Sequence, residues 1–330
     1  MATQLQCFAM DVLMRMAFSG SLGFIHNGTD VDGILAAVVA RFDNWNAWAA
    51  LPVLDYLWNK STLATKLIHR RHGDSPLARV SMAQLVARQR QMHKEGKPEG
   101  DGNDLLQKFL DGQARYPELS ASDTHVLGIV MSTIGAGADT TAGTLAYTLY
   151  LLAQHSVAAA KLQAELDAAH AQDALSTQVQ HLPYLDAVLR ESMRILPIAS
   201  WGLDRVVPPA GATISGTFVP GGTIVGCQIG SIHLDKSVYG DDAATFRPER
   251  WLEAEESQRR RMDCAFLAFS AGKRTCTGIH IAWLEIKKTL PLLLMNFEDV
   301  RDQFRISAVK YPPEILMHIR KRELADTANV

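Results

Sequence analysis

Apolar residues recur at helical spacing along most of the chain, and one short region alternates β-branched runs with proline and glycine instead. Residues 5–90 carry the period of amphipathic helices, with a break near Gly28, and residues 157–196 predict two further helices. A last helix is expected from just after Cys276 to about Asn296. Residues 206–225 mix β-branched runs with proline and glycine pairs, which predicts hairpins. The pattern predicts a mainly α fold with a small β region, in a single domain over residues 1–330.

Residues 126–153 form an unusually apolar segment whose only charged residue is Asp139. The segment is long enough to span a bilayer. Glycines and hydroxyl side chains interrupt it, however, and an acid at the centre of a bilayer is costly. A helix that is apolar on every side can equally lie at the centre of a large soluble protein. We therefore expect a buried helix that starts near residues 120–123, where serine and aspartate provide a cap.

Composition limits the functions that remain. The chain has 330 residues, 47% of them hydrophobic, so it can bury a large core. Its formal net charge is −2 with both signs spread along the sequence, which argues against a nucleic-acid-binding surface. The start of the chain lacks the basic and apolar regions of a signal peptide. The four cysteines are far apart and lack metal-ligand spacing, which fits a reducing compartment and leaves one available for chemistry.

One short segment, Phe269-Ser-Ala-Gly-Lys-Arg-Thr-Cys-Thr-Gly278, combines residue types that suit a haem with a cysteine ligand. Gly272 permits a tight bend, and Arg274 supplies a fixed cation for a carboxylate. Phe269 can shield the Cys276 sulfur from solvent, and Gly278 leaves room for a flat ligand. The positive end of a helix that starts after Cys276 favours thiolate over thiol. These features predict an axial cysteine for haem iron, and the alternative is a glycine-rich turn with a structural cysteine.

This segment resembles the haem-binding loop of the cytochrome P-450 family at every signature position. The resemblance implies the cytochrome P-450 fold without its N-terminal third, because residues 11–23 resemble a helix that follows the family's first strands and helices. It implies haem b as cofactor, with Cys276 on the iron and Phe269, Gly272, Arg274 and Gly278 around the haem. A truncated gene product, a wrongly assigned start and a degenerate member are the three explanations for the missing third.

The apolar segment contains Ala136-Gly-Ala-Asp-Thr-Thr, which is similar to the oxygen-activating segment of the family. Small residues let a ligand lie against the helix, Thr140 offers a hydroxyl group, and Asp139 is an acid that can relay protons. Asp139 and Thr140 are therefore the catalytic candidates. Without the acid, such a patch is more often a site of helix packing.

Three further charged residues resemble a structural salt-bridge triad of the family. Glu191 and Arg194 stand three residues apart on a predicted helix, and Arg250 would be the third member. If the triad is buried, removing one partner would strand a charge. Arg205, at the start of the first predicted strand, resembles an arginine that binds a haem propionate, although a surface strand residue is an equal alternative.

The resemblance implies a monooxygenase that inserts one oxygen atom from O2 into a hydrophobic organic substrate. Electrons would come from NADPH through a cytochrome reductase, which we expect to dock on a basic face that includes Lys273, Lys287 and Lys288. Residues 132–136 and 198–202 would line the substrate pocket. Residues 233–251 are similar to fungal microsomal members, including the pisatin-demethylase-like group, which indicates secondary metabolism. The implied location is the cytoplasmic side of the endoplasmic reticulum, and we expect no membrane anchor in this chain.

Two alternatives stay open from the sequence. A haem-thiolate isomerase or dehydratase of the same fold would need neither O2 nor a reductase, and the Asp139–Thr140 pair argues against it. A non-catalytic remnant that binds haem poorly is the other alternative, and the missing N-terminal third favours it.

Overall fold

The computed structural model describes residues 2–49, 51–58, 61, 75–95, 103–118, 122–171, 181–200, 202, 204–299, 305–307, 314–316 and 319–322. Helices predominate and the strands are short, which confirms the predicted fold class. The chain forms two compact units, Met1–Ala142 with Ile306–Glu314 and Gly143–Arg305 with Ile315–Val330. That both units belong to a single domain over residues 1–330 stays a prediction.

The first unit is built from helices. In chain order these are α1 (Ala2–Phe18), α2 (Phe24–Asn27), α3 (Ile34–Ala49), α4 (Pro52–Trp58), α5 (Pro76–Glu95), α6 (Leu105–Arg115) and the first part of α7 (Asp123–Gln154). The predicted break near Gly28 is present, because α2 ends there in a left-handed glycine with φ +67°. Asp11 accepts backbone hydrogen bonds from Gly23 and Ile25, so α1 supplies the cap that starts α2.

Helices α1 and α7 approach each other closely. A Cβ atom at Gly137 would lie 2.9 Å from the Leu13 Cδ1 atom, so a larger residue there would require the Leu13 side chain to move. Ser122 caps α7 by accepting a hydrogen bond from the His125 N–H at 3.3 Å, as the sequence predicted. The buried side chains of α7 include Val126, Val130, Ile134 and Ala138 at four-residue spacing, whereas Gly128, Ser132 and Ala136 are exposed, so the first half of this apolar helix is buried along one face only. Among the helices that the structure describes, none has the length and apolarity needed to cross a membrane.

The second unit contains the end of α7 and all the predicted β structure. Its helices are α8 (Ser156–Ala171), α9 (Pro183–Ile195), α10 (Ile229–His233), α11 (Lys236–Tyr239), α12 (Arg250–Glu253), α13 (Glu256–Ala265) and α14 (Ile279–Asn296). Helices α8, α9 and α14 confirm the predicted helices in residues 157–196 and after Cys276. A buried cluster of Ala187, Tyr239, Ala243, Trp251 and Met262 packs α9 against the segments that precede the cysteine loop.

The strands pair as the turn residues predict. They are β1 (Arg205–Val206), β2 (Ala212–Ile214), β3 (Thr217–Val219), β4 (Ile224–Val225), β5 (Phe297–Asp299), β6 (Arg305–Ser307), β7 (Glu314–Leu316) and β8 (Ile319–Lys321). Strands β2 and β3 form a hairpin, and β1 pairs antiparallel with β4. The hairpin turns at Ser215 and Gly216, both with positive φ, which is the conformation that two-residue hairpin loops require.

Candidate active site

The loop that carries Cys276 is held by backbone hydrogen bonds. It follows α13 and passes through a 3₁₀ turn, Gly272–Arg274, before α14 begins. The Cys276 N–H donates to the Phe269 carbonyl oxygen at 2.8 Å, and the Thr275 N–H donates to the Gly272 carbonyl oxygen at 3.1 Å. Gly272 has φ +67° and open space around its Cα, so backbone conformation rather than room selects glycine there.

The Cys276 side chain is exposed and stands just before the first turn of α14. A Cβ atom at Gly278 would lie 3.9 Å from the Cys276 sulfur, so a larger side chain would extend into the space beside that sulfur. The Phe269 ring packs against Trp283 of α14, with ring centroids 5.9 Å apart. A reachable sulfur, a missing side chain at Gly278 and the positive end of α14 fit a thiolate that binds the iron of a flat cofactor.

Both arginines that were predicted to bind haem carboxylates have exposed side chains. Arg274 lies in the 3₁₀ turn two residues before Cys276, and it has no carboxylate partner within the described part of the chain. Arg205 lies on β1, where one guanidinium nitrogen donates to the Asp204 carbonyl oxygen at 3.2 Å. The exposed Arg274 guanidinium, close to Cys276 in the sequence, is suited to an anionic group supplied from outside the chain.

The structure brings the three residues of the predicted triad together in a buried network. Arg194 donates to both carboxylate oxygens of Glu191, at 2.9 and 2.8 Å. Arg250, the first residue of α12, donates to Glu191 Oε1 at 2.9 Å. Relative exposure is 0% for Glu191 and Arg194 and 3% for Arg250. The network therefore joins α9 to the segment that precedes the cysteine loop.

Further hydrogen bonds satisfy the charged groups of this network. Arg194 donates at 2.6 Å to the backbone carbonyl oxygens of His233 and Ala243. Trp251 donates its indole N–H to the Glu191 carboxylate at 3.0 Å. Such completion is necessary, because a buried ion pair offsets its desolvation cost only when its other donors and acceptors are also paired.

His233, to which no motif in the sequence assigns a role, links this network to the cysteine loop. Its Nδ1 atom lies 3.2 Å from the Arg194 carbonyl oxygen, and its Nε2 atom accepts the Leu267 N–H at 2.9 Å. The ring is fully buried and stacks on Phe266, with centroids 5.7 Å apart. Burial lowers the pKa of His233 to about 4, because the buried site disfavours the charged imidazolium. The ring is therefore a neutral bridge between α9 and the start of the loop.

In the first unit, the Thr140 hydroxyl donates to the Ala136 carbonyl oxygen one turn earlier on α7, at 2.7 Å. Because the hydroxyl proton points at that carbonyl, a ligand on the other side must donate its hydrogen bond to the Thr140 oxygen. Thr140 is half-buried, whereas Asp139, the preceding residue, is only 1% exposed. The acid and the hydroxyl therefore face different surroundings.

Asp139 has a hydrogen-bond partner on α1 that the sequence pattern did not predict. The Gln6 side-chain N–H of α1 donates to Asp139 Oδ1 at 3.1 Å. Asp139 Oδ2 is buried and has no hydrogen-bond partner among the described residues. Burial raises the pKa of Asp139 to about 6, and the hydrogen bond from Gln6 opposes part of that rise. No signal in the sequence marks Gln6, which is one polar residue on an amphipathic helix.

The predicted pocket-lining residues are described only in part. Ser132 and Ala136 are exposed on α7, and the Ile198 side chain packs so closely on Gly143 that a Cβ atom there would lie 2.4 Å from it. Trp201 lies outside the described residues.

Lys287 differs from the other lysines of the predicted docking face. Its ammonium group binds Asp186 at 2.8 Å and lies 4.9 Å from the Trp283 ring centroid. Its side chain is 13% exposed, whereas Lys273 and Lys288 are both exposed at the surface. The prediction of a basic face therefore rests on Lys273 and Lys288.

A mainly helical fold with a cysteine presented before a helix is the arrangement expected of a haem-thiolate protein. The family model for cytochrome P-450 matches residues 1–324. The chain belongs to the cytochrome P-450 family.

Three fungal proteins illustrate what this chain is similar to. A cytochrome P-450 monooxygenase of Aspergillus terreus is 38% identical over 301 residues, which cover 89% of this chain and 60% of that protein. The cytochrome P-450 monooxygenase mpaDE of Penicillium brevicompactum is 36% identical over 300 residues, 89% of this chain and 35% of that protein. The monooxygenase cicH of Emericella nidulans is 33% identical, and the match covers 59% of its length. The chain thus spans about 60% or less of the length of these relatives.

Proposed function

We propose that this chain is the haem-binding part of a monooxygenase that inserts one oxygen atom from O2 into a hydrophobic organic substrate. The observation that carries the proposal is the cysteine loop, which presents an exposed Cys276 beside Gly278 at the start of α14. The names of the relatives support the same reaction class. Their fungal origin supports a role in secondary metabolism, and membership of the family supports a location at the cytoplasmic side of the endoplasmic reticulum.

The residues around Cys276 fit haem b. Cys276 would bind the iron as thiolate, with Phe269 packed behind the loop and Gly272 and Gly278 shaping its backbone. Arg274 would bind a haem carboxylate, and Arg205 is the second candidate for that role. When bound, haem b supplies the iron at which O2 is activated by two electrons, so that one oxygen atom enters the substrate and the other leaves as water.

On α7, Asp139 and Thr140 would deliver protons to that reaction. The Thr140 hydroxyl donates its own proton in a hydrogen bond to the Ala136 carbonyl oxygen. Its oxygen can therefore accept a hydrogen bond from a water or a reacting group. Asp139, whose pKa is raised to about 6, can take up and release a proton near neutral pH. An isomerase or dehydratase would not need this proton supply, which favours the monooxygenase.

Electrons would reach the haem from NADPH through a cytochrome reductase. Lys273 next to the cysteine loop and Lys288 on α14 are exposed cations near Cys276 in the sequence, and an acidic partner would be attracted to them. Lys287 would support α14 through its pair with Asp186.

The test is the ferrous–carbon monoxide spectrum of the purified chain, in which thiolate-ligated haem gives a red-shifted Soret band. We expect that band in the wild type and its loss in Cys276→Ser. Cys264→Ser is the matched control, because Cys264 is also exposed and lies in the same unit. An unchanged band in Cys276→Ser would contradict the ligand assignment, and no haem binding in the wild type would favour the remnant alternative.

A further inference from the structure

The contact between Gln6 and Asp139 joins α1 to the proposed oxygen-activating segment of α7. The two side chains are 7% and 1% exposed, and the Gln6 N–H donates to Asp139 Oδ1 at 3.1 Å. Gly137, two residues before Asp139, packs against the Leu13 side chain of α1, so the two helices are in close contact near Asp139. The amide therefore meets the acid inside the first unit, away from bulk water.

The second carboxylate oxygen of Asp139 makes this contact unusual. Oδ2 is buried without a hydrogen-bond partner among the described residues, whereas most buried polar atoms are paired. An acid that served only to join two helices would be expected to use both oxygens, as Asp11 does with Ser21 and the backbone N–H groups of Gly23 and Ile25. One held oxygen and one unpaired oxygen suit a group that exchanges a proton.

We propose that Gln6 is a positioning residue for oxygen activation: it holds Asp139 by Oδ1 and leaves Oδ2 to take up and release the proton. The proposal rests on the proposed monooxygenase function. Each proton that leaves Oδ2 for a water molecule on the way to the reacting oxygen is replaced by one from solvent. The carboxyl group thus returns to its starting state after each transfer.

An amide is well suited to this position because it donates a hydrogen bond without carrying a charge. Lysine or arginine would keep the acid ionised, and an apolar residue would keep it protonated. Cys7 and Asp11 are the titratable residues of α1 nearest to Gln6 in sequence, whereas burial raises the pKa of Asp139 and the hydrogen bond from Gln6 opposes that rise. Cys7 donates to the Thr29 carbonyl oxygen, and Asp11 is held by the start of α2.

The experiment compares Gln6→Met with wild type in the haem-loaded chain. Methionine keeps the length of glutamine but cannot donate a hydrogen bond. The protonated carboxyl band of Asp139, assigned by its loss in Asp139→Asn, is followed by infrared spectroscopy as a function of pH. We expect its midpoint to rise by about one pH unit in Gln6→Met, the value of one lost hydrogen bond to a charged group. The pH dependence of product formed per NADPH should shift upward by the same amount.

Two further variants separate positioning from packing. Gln4→Met is the matched control, because Gln4 is exposed on the same helix, and it should leave the midpoint unchanged. Gln6→Glu should restore the coupling, which is the product formed per NADPH, at acid pH, where the new side chain can donate its own proton to Asp139. That rescue should be lost as pH rises and two carboxylates face each other.

An unchanged Asp139 midpoint in Gln6→Met, or an equal shift in Gln4→Met, would overturn the proposal. The proposal would also be overturned if Gln6→Met shifted the Asp139 midpoint but formed the same amount of product per NADPH as the active wild type at every pH. Lack of turnover in the wild type counts against the proposed function alone, and the infrared midpoint then still decides whether Gln6 controls Asp139.

Discussion

Asp139 and Thr140 are neighbours on α7 with separate tasks in the proposed reaction. Asp139 is buried and its pKa is raised to about 6. Thr140 is half-buried, and its hydroxyl is oriented by the carbonyl oxygen of Ala136. A sequence motif places the two side by side, but the chemistry of each depends on what surrounds it.

Thr140→Ala should uncouple reductant consumption from product formation without preventing haem binding. Without the Thr140 hydroxyl, proton delivery would lose its direction, and reduced oxygen would leave as hydrogen peroxide and not enter the substrate. We expect product per NADPH to fall on the order of 100-fold, the low end of what a positioned proton-transfer group contributes. Thr148→Ala is a suitable control, since Thr148 makes the same hydroxyl bond to the carbonyl four residues earlier, at 2.9 Å. If wild type and Thr140→Ala formed the same amount of product per NADPH, the segment would serve helix packing and not proton delivery.

His233 should make the protein less stable in acid. Its pKa is lowered from 6.5 to about 4, so its contribution to stability is complete above pH 6.5 and is lost as pH falls to about 4. The loss is on the order of 3 kcal/mol for a shift of this size. Asp139 has the opposite sign: its contribution is complete below pH 3.8 and is lost as pH rises through about 6.

Urea unfolding of Asp139→Asn, with and without His233→Gln, isolates the histidine. The free energy of unfolding should decrease between pH 6.5 and about 4 when His233 is present, and the decrease should be smaller in His233→Gln. The same decrease in both proteins would show that another group titrates.

At the level of elements, one short buried network determines how α9, α10 and α12 are arranged before the cysteine loop begins. Arg194 and Arg250 share the Glu191 carboxylate, and His233 connects this set to Leu267. The loop itself is maintained by main-chain hydrogen bonds, so its position depends on the elements at its two ends.

Arg250→Met should destabilise the protein by about 3–5 kcal/mol, because it leaves part of the buried Glu191 charge without its partner. Arg259→Met is the matched control: Arg259 pairs with Glu256 at the same acid-to-arginine spacing as Arg194 with Glu191, but on the surface. That variant should change stability little. Urea unfolding midpoints and slopes measure both effects, and equal losses would mean that burial does not distinguish the two pairs.

At the scale of the whole molecule, the formal net charge of −2 gives no strong overall field, so docking depends on local charge. Lys273 and Lys288 are the exposed cations near Cys276 in the sequence, and both lie in the second unit. Their position makes electron delivery sensitive to salt.

Lys273→Glu combined with Lys288→Glu should slow reductase-driven turnover at low ionic strength, and the difference from wild type should shrink as salt screens it. We leave Lys287 unchanged, because its reversal would also break the pair with Asp186. Lys108→Glu with Lys236→Glu gives the same change of net charge at other exposed positions. An equal effect of the two double variants would place docking elsewhere.

The sequence by itself determined the local features of this protein. Periodicity predicted the helices, because burial on one face repeats with the helix geometry. The β-branched runs between proline and glycine pairs predicted the hairpins. The cysteine loop was recognisable because its characteristic residues, Gly272, Cys276 and Gly278, lie together with Phe269 in one ten-residue segment. The Glu191–Arg194 pair was recognisable for the same reason of short spacing, and its match to Arg250 needed the family resemblance.

Only the tertiary structure decided which distant polar groups meet. Gln6 and Asp139 are 133 residues apart, and His233 and Leu267 are 34 apart. Hydrophobic periodicity reports which face of a helix is buried, but it does not report which polar atom lies opposite another inside the fold. The same limit applies to Lys287, whose pair with Asp186 joins two helices. Burial and partner choice set the pKa of Asp139 and His233, so these acid–base properties follow from the packing and not from the motif.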